Sequence, residues 1–256
     1  EFRDVTFSYP HPQDKYSGKE SDRAKTPVLS GINLDIPAGK TTLIMGPIGS
    51  GKTTLVNLLL RFYDTTYGDI YIDRTNIRNC ALDSLRQSIG YVPQDTFLFA
   101  DTIKENILFG KEEKTVDFKS ILDLVQMKQV IDNLPEKENS LLGERGVNLS
   151  GGQKQRLTLA RAIIKNPSIL ILDDCFSSVD FETEQSILNQ LKSVLKNRTT
   201  IIISHRLAAT KLSDFILFME DGRVVEKGTH QELMARNGHY VRFYEYQKLK
   251  EALDTE

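Results

Sequence analysis

Eight consecutive residues, Gly46 to Thr53, have the composition and spacing of a phosphate-binding loop. They read Gly-Pro-Ile-Gly-Ser-Gly-Lys-Thr, and glycines let backbone amides approach phosphate oxygens without a Cβ in the way. We expect Lys52 to reach the β- and γ-phosphates and the Thr53 hydroxyl to ligate Mg²⁺. The pattern predicts that the chain binds a nucleoside triphosphate with magnesium. The predicted nucleotide-binding residues of this segment are Gly46, Gly49, Ser50, Gly51, Lys52, Thr53 and Thr54.

A second group of chemically competent residues ends an apolar run. Residues 169–174 read Ile-Leu-Ile-Leu-Asp-Asp, which is typical of a buried strand followed by two carboxylates. Taken alone, the run could be a core strand with an acidic end. Coupled to a phosphate-binding loop, it favours Asp173 as a magnesium ligand. Asp174 then stands where a general base orients the attacking water.

A third group, Ser150, Gly151, Gly152 and Gln153, precedes a helical pattern. A serine hydroxyl and glycine amides at a helix N-terminus form a potential second anion site. The alternative is an ordinary helix start.

These groups need an α/β scaffold to position them. An apolar strand at 41–45 precedes the loop, and helical periodicity follows over about 52–62. The early part of the sequence is rich in strands, the middle is helical, and the later part alternates helix and strand, which predicts a parallel α/β core. Residues 10–27 are polar and predict an exposed loop. Other predicted strands are 2–9, 28–36, 69–78, 89–92, 168–172, 199–203 and a pair around Glu220-Asp221-Gly222; predicted helices are 102–134 with breaks, 152–165, and a C-terminal helix with a Thr229–Glu232 capping box.

Composition limits the class of protein. Hydrophobic residues make up 39% of the 256, and the net charge of −2 provides no basic field that would attract nucleic acid. The two cysteines are far apart and form no metal-ligand pattern. No apolar run approaches the ~18 residues that cross a bilayer, and no signal peptide opens the sequence. The strand-like start at Glu1 is what we expect of a domain cut from a longer chain.

In their order and spacing these motifs resemble the ATP-binding-cassette (ABC) family over essentially the whole sequence. The resemblance implies an α/β P-loop NTPase (RecA-like) core with an antiparallel β-subdomain and an inserted helical subdomain. One nucleotide-binding domain would cover 1–256, divided into 1–93, a helical subdomain at 94–160, and 161–256.

The resemblance also assigns roles to further residues. Tyr9 matches the aromatic residue that stacks on adenine, and Gln94 in Tyr-Val-Pro-Gln matches the Q-loop glutamine near magnesium. Ser178-Val179-Asp180 matches the D-loop, and His205 matches the switch histidine that contacts the γ-phosphate. Asp174, His205 and Gln94 are therefore the predicted catalytic residues, and Thr53, Gln94 and Asp173 the predicted magnesium ligands.

Three segments look exporter-like: 97–99, 101–107 and Gly143-Glu144-Arg145-Gly146. They favour a multidrug-exporter-like domain over importer or DNA-repair relatives. The resemblance then implies ATP and Mg²⁺ as ligands and a second nucleotide-binding domain in a head-to-tail dimer, in which the signature segment Leu149–Gln153 of each chain completes the ATP site of the other. It further implies transmembrane domains reached through coupling helices, no nucleic acid, and a position at the cytoplasmic face of the cell membrane.

The sequence departs from the family pattern at Asp174, where glutamate is usual. Aspartate is about 1.5 Å shorter, and a misplacement near 1 Å can cost on the order of 100-fold in rate. We therefore predict slow hydrolysis at this site. Three explanations stay open: the impaired half of a heterodimer, which we favour, a slow homodimer, or an engineered substitution. A non-hydrolysing regulatory module and a soluble ABC ATPase are the alternative functions.

Overall fold

The computed structural model describes residues 1–10, 26–109, 117–143 and 149–253. Most of the predicted loop at 10–27, and the Glu144–Gly146 part of an exporter-like segment, lie outside these ranges. The chain divides into two compact units. The first contains the described residues within Glu1–Pro37, Ile44–Arg86 and Phe215–Glu256, and the second those within Ala38–Leu43 and Gln87–Asp214.

The secondary structure alternates between short strands and helices. The strands are β1 (Phe2–Phe7), β2 (Leu29–Leu34), β3 (Thr41–Met45), β4 (Tyr67–Ile72), β5 (Thr75–Asn76), β6 (Ile89–Val92), β7 (Ile169–Asp173), β8 (Thr199–Ile203), β9 (Phe215–Glu220) and β10 (Arg223–Gly228). The helices are α1 (Lys52–Leu59), α2 (Leu82–Gln87), α3 (Ile103–Leu108), α4 (Phe118–Leu124), α5 (Lys128–Asp132), α6 (Gly151–Ile164), α7 (Phe181–Leu195), α8 (His230–Arg236) and α9 (His239–Leu253).

The first unit is built on an antiparallel sheet with the strand order β2-β1-β4-β5. Phe2, Val5 and Phe7 of β1 are buried and pair with the buried Leu34, Ile32 and Leu29 of β2. One face of this pair therefore lies in the core. The predicted hairpin around Asp221 is confirmed as β9 and β10, which pair in antiparallel fashion across it.

The second unit contains a parallel sheet in which β7 lies between β6 and β8. Val92 pairs with Leu172, and Asp173 pairs with Ile203, so the carboxyl ends of all three strands meet at one edge. Residues 170–172 are fully buried, as expected for a central parallel strand. Ligands of open parallel sheets bind beyond this edge, and the chain places Gln94, Asp174 and His205 just after it.

Several predicted elements are shorter than the sequence pattern suggested. The helix predicted over 52–62 ends at Leu59, because Arg61 adopts a left-handed backbone with φ 49°. The strand predicted over 69–78 is split by two left-handed residues, Asp73 and Arg74. Within 102–109 and 117–134, the described parts of the stretch predicted to be helical, the structure has three helices, and left-handed Phe109 closes the first.

The C-terminal helix of the prediction is two helices, α8 and α9, separated by left-handed Asn237. The predicted capping box at its start is confirmed, since Thr229 and Glu232 each bond the other's backbone amide. Helices α2 and α7 were not predicted. The α/β class is confirmed, whereas the subdomain boundaries after 93 and 160 stay predictions. Within the described ranges, no helix is long and apolar enough to span a membrane.

Candidate functional site

The phosphate-binding loop lies in the first unit, between β3 and α1. Lys52 opens α1, and its Nζ donates hydrogen bonds to the carbonyl oxygens of Gly46 (3.0 Å) and Pro47 (2.7 Å) and to Ser50 Oγ (3.2 Å). Gly51, the residue before the helix, has φ 95°. The lysine is thus held across the loop, and the N-terminal amides of an eight-residue helix begin directly after Gly51.

The glycines of the loop fit a phosphate cradle. A Cβ on Gly46 would come within 2.0 Å of the carbonyl oxygen of Met219, and a Cβ on Gly51 within 2.6 Å of Leu29 Cδ2. Gly49 combines φ 82° with open space, because no atom would lie within 4 Å of a Cβ there. Two glycines are therefore required by close packing, and the third leaves the loop surface accessible. This shape suits the phosphates of a nucleotide.

Tyr9, the predicted adenine-stacking residue, lies in an aromatic cluster of the first unit. Its hydroxyl is 3.0 Å from Thr54 Oγ1 in α1. The centroid of its ring is 4.9 Å from that of Phe7, in an edge-on contact, and 5.1 Å from that of Tyr63. The ring planes of Tyr9 and Tyr63 are perpendicular. Tyr9 and Tyr63 are each 39% exposed. The structure therefore brings Tyr9 to the helix of the phosphate-binding loop and leaves part of the ring available to a base.

We predict that the ring of Tyr9, rather than its hydroxyl, carries its role in nucleotide binding. Base–aromatic stacking contributes about 1–3 kcal/mol, so Tyr9→Ala is expected to weaken ATP binding by about tenfold or more. Tyr9→Phe keeps the ring and loses only the Thr54 contact, so affinity should stay within about threefold. Isothermal titration of both variants tests this, and equal losses would contradict a stacking role.

The carboxylates that follow β7 lie in the second unit. Asp173 is buried, with 1% of its surface exposed. The amide of Asp174 donates to the carbonyl of Ile203 at 2.9 Å, so β7 and β8 stay paired up to this point. Asp174 has a left-handed backbone (φ 47°), and its Oδ1 lies 3.2 Å from His205 Nδ1. The candidate general base is thus in contact with the predicted switch histidine.

Tyr91 is a site residue that the sequence interpretation missed. Burial first, and then the charge of Asp173 and a hydrogen bond with it, raise the pKa of the Tyr91 hydroxyl well above its ordinary value. The hydroxyl therefore stays protonated and can donate to the Asp173 carboxylate. Tyr91 lies in β6, and Gln94, which is exposed, follows two residues after the strand ends. The only sequence signal was its place in the Tyr-Val-Pro-Gln segment.

The signature segment, Leu149–Gln153, starts helix α6 with a capping box. Ser150 Oγ accepts from the Gln153 amide at 3.2 Å, and Gln153 Oε1 accepts from the Ser150 amide at 3.0 Å. The segment is therefore a capped helix start, as the simpler interpretation of the sequence expected. A serine hydroxyl that accepts one hydrogen bond keeps its proton to donate, so an anion contact at Ser150 is compatible with this cap.

The predicted D-loop, Ser178–Asp180, packs on Gly151 and Gly152 of the predicted signature segment. A Cβ on Gly152 would come within 2.6 Å of the carbonyl oxygen of Ser178, and one on Gly151 within 3.3 Å of Ser178 Cβ. Asp180 is the N-cap of α7 and accepts a hydrogen bond from the Thr183 amide at 2.9 Å. Hydrogen bonds from the Thr183 backbone and side chain lower the pKa of Asp180. The carboxylate is thus ionised at neutral pH and fixes the start of the helix.

Comparison with known proteins identifies the closely related sequences and folds. Residues 29–177 match the family described as ABC transporter. A putative multidrug export ATP-binding/permease protein of Staphylococcus aureus (strain NCTC 8325) is 45% identical over 242 residues, which cover 93% of this chain and 41% of that protein. A protein with the same description from S. aureus strain RF122 is 45% identical over 240 residues, with the same two coverages. This chain therefore spans well under half the length of these relatives.

Among solved structures, a bacterial Atm1-family ABC exporter with ATP bound has the same fold. The TM-score is 0.86 at 39% sequence identity, and the match covers 96% of this chain and 41% of the exporter chain. The fold is therefore that of an ABC ATPase, as the sequence motifs implied.

Proposed function

The chain belongs to the ABC transporter family, and we propose that it is the ATP-driven motor domain of an exporter, with slow hydrolysis at its own carboxylate site. Members of the family bind ATP with Mg²⁺. The relatives described as multidrug export proteins support export as the process that is driven. The motor would work at the cytoplasmic face of a membrane, since the relatives combine an ATP-binding part with a permease part.

One observation carries the slow-site part of the proposal, the contact between Asp174 and His205. A general base needs to reach the attacking water as well as its own supporting groups. The Oδ1 atom of Asp174 lies 3.2 Å from His205 Nδ1. Because its side chain is one methylene shorter than that of glutamate, it is less able to keep this contact and reach the water at the same time. We infer that the carboxylate is chemically suitable for activating water and is poorly placed to do so.

The proposed phosphate and base contacts follow the geometry of the first unit, and the proposed Mg²⁺ ligands follow the resemblance to the family. Lys52 and the amides after Gly51 would hold the phosphates, and the ring of Tyr9 would hold the base. Thr53, Gln94 and Asp173 would hold Mg²⁺, which supplies charge neutralisation at the phosphates when bound. Tyr91 would orient Asp173 through its hydrogen bond. A carboxylate that is buried and aimed by a protonated phenol is suited to a hard cation.

A groove in the second unit supports the proposed link to a membrane domain. Its volume is about 440 Å³, and Phe99 and Phe109 lie on its walls. Phe97, Phe99 and Phe109 are between 41% and 50% exposed. Arg161 lies under the last two rings at 5.5 Å from each and donates to the Asn106 and Phe97 carbonyls. Burial lowers the pKa of Arg161 to about 10, so the guanidinium stays charged at neutral pH.

We infer that a coupling helix from the permease part docks in this groove. The rim carries two acidic residues, Asp101 and Glu105, beside the exposed aromatic rings. An amphipathic segment with apolar anchors and a basic residue would match this combination. The relatives' additional length, beyond the 41% that this chain covers, is where such a segment would lie.

The second cassette of the dimer is proposed to be a different chain. The signature segment of this chain is intact, so it would complete a competent site on the partner. The partner's signature would close the slow site that contains Asp174. A homodimer that is slow at both sites is the alternative. A regulatory module that binds ATP without hydrolysing it is a second candidate. The Asp174–His205 contact favours this candidate, because a carboxylate engaged by the histidine is less available to activate the attacking water.

We expect the purified chain alone to bind ATP and to hydrolyse it far below the typical enzyme turnover of about 10 s⁻¹. Adding a cassette with glutamate after its own strand-end aspartate should restore turnover, because that partner supplies a competent carboxylate site. A malachite-green phosphate assay with and without the partner measures this. Ordinary turnover by the chain alone would contradict the slow-site proposal, and no turnover in any combination would favour the regulatory module.

A further inference from the structure

Arg206, the residue directly after the predicted switch histidine, contacts the predicted D-loop within the second unit. Its guanidinium donates to the carbonyl oxygen of Ser177 at 3.2 Å and to that of Val179 at 3.4 Å. These two carbonyls lie on either side of Ser178. The Arg206 amide donates to Ser204 Oγ at 3.0 Å, which fixes the backbone that also carries His205. One residue therefore fixes both the segment that presents the histidine and the backbone of the D-loop.

Glu184 in α7 holds the guanidinium in place. Its carboxylate accepts a hydrogen bond from Arg206, and the two side chains are 3% and 24% exposed, respectively. A carboxylate this deeply buried requires a charged partner. The guanidinium is planar and offers several donors in a fixed arrangement, so it can satisfy Glu184 and the two carbonyls together.

The D-loop is held on its other side by the signature helix. Gln155 of α6 donates to Ser177 Oγ at 2.8 Å, and its Oε1 accepts from the Ser178 amide at 3.0 Å. Gly152 of the same helix approaches the Ser178 carbonyl so closely that no Cβ fits. The D-loop therefore lies between the signature helix and the arginine, and a displacement of either would move it.

We propose that Arg206 is a positioning residue that couples His205 to the D-loop through its pair with Glu184. This inference rests on the proposed function, because the D-loop matters for turnover only in a dimer of cassettes. Arg206 is not expected to touch the nucleotide. When the switch-histidine segment shifts, the shared guanidinium transmits that shift to Ser177 and Val179.

Two measurements on the complete protein test the proposal. In Arg206→Met, the amides of Ser177, Ser178 and Val179 should exchange hydrogen about tenfold faster, because one of their two supports is lost. Amides within β7 should keep their protection. In the assembled dimer, kcat should fall by about tenfold, as expected for a displaced group, while KM for ATP stays within about twofold. Arg206→Lys keeps the charge toward Glu184, so it should recover part of the lost exchange protection and part of the lost kcat.

Arg198→Met is the matched control, since Arg198 is a partly buried arginine of the same unit whose guanidinium donates to Asn166 at 2.6 Å, whereas that of Arg206 donates to the D-loop carbonyls. The proposal would be overturned if exchange at Ser177–Val179 is unchanged in Arg206→Met. It would also be overturned if Arg198→Met shows the same rise in exchange and the same fall in kcat as Arg206→Met. A fall in ATP affinity that parallels the fall in kcat would also overturn it, because it would indicate a general structural loss. Absence of ATP binding in the unmodified protein would count against the proposed function instead, and the exchange measurement would still decide the role of Arg206.

Discussion

Replacing Asp174 by glutamate is expected to raise the rate of ATP hydrolysis on the order of 100-fold at this site, because about 1 Å of misplacement can cost that much. The added methylene lets the carboxylate keep its contact with His205, 3.2 Å away in the present structure, and reach further toward a bound water. ATP affinity should change little, since the base acts on the water and not on the nucleotide. Single-turnover hydrolysis with radiolabelled ATP measures the chemical step directly.

Two control variants make the Asp174 prediction specific. Asp174→Asn removes the carboxylate at constant size and should reduce hydrolysis below the level of the unmodified chain. Asp83→Glu adds the same methylene to an exposed aspartate at the start of α2 and should have no effect on rate. If Asp174→Glu leaves the rate unchanged, the reach of the side chain is not the defect, and the regulatory function becomes the better explanation.

The sequence predicted those parts of the molecule whose physics is local. The phosphate-binding loop is contiguous, and its glycines and lysine contact one another within eight residues. The Thr229–Glu232 capping box and the hairpin at Asp221 depend only on neighbouring residues and are likewise confirmed. The parallel strand before Asp173 was predictable because a strand buried on both faces is continuously apolar.

Element boundaries were harder to predict because tertiary contacts end helices that periodicity would extend. The apolar pattern of α1 continues to Phe62, yet the helix ends at Leu59. Arg61 takes a left-handed backbone there and donates to the carbonyls of Ile77 and Cys80, both at 3.0 Å. The end of this helix thus depends on two residues that follow Arg61 by 16 and 19 positions in the sequence.

The residues that support the candidate site were missed for the same reason. Tyr63 meets Tyr9 across 54 positions of sequence (63 − 9), Tyr91 meets Asp173, and Arg206 meets Glu184 across 22 positions. Nothing in the local pattern of these residues distinguishes them from ordinary core or surface positions. The roles assigned to the motif residues themselves remain predictions, and the nucleotide-binding ones are tested most directly at Lys52.

Lys52→Ala is expected to weaken ATP binding by about 100-fold, since hydrogen bonds to charged groups contribute about 1.5–3 kcal/mol each. The variant loses the three hydrogen bonds that hold the loop, to Gly46, Pro47 and Ser50, along with the positive charge offered to the phosphates. Lys40→Ala is the matched control, because Lys40 is an exposed lysine whose ion pair with Asp214 is 3.7 Å long and should contribute little. Fluorescence titration with a labelled ATP analogue compares the two variants. Since the Gly46 and Gly51 backbones also lie tightly against Met219 and Leu29, the loop should keep most of its shape in Lys52→Ala, and thermal unfolding should change by only a few degrees. Tight ATP binding by a folded Lys52→Ala variant would mean that the amides and glycines of the loop suffice without the lysine, and that the charge at this position serves hydrolysis instead.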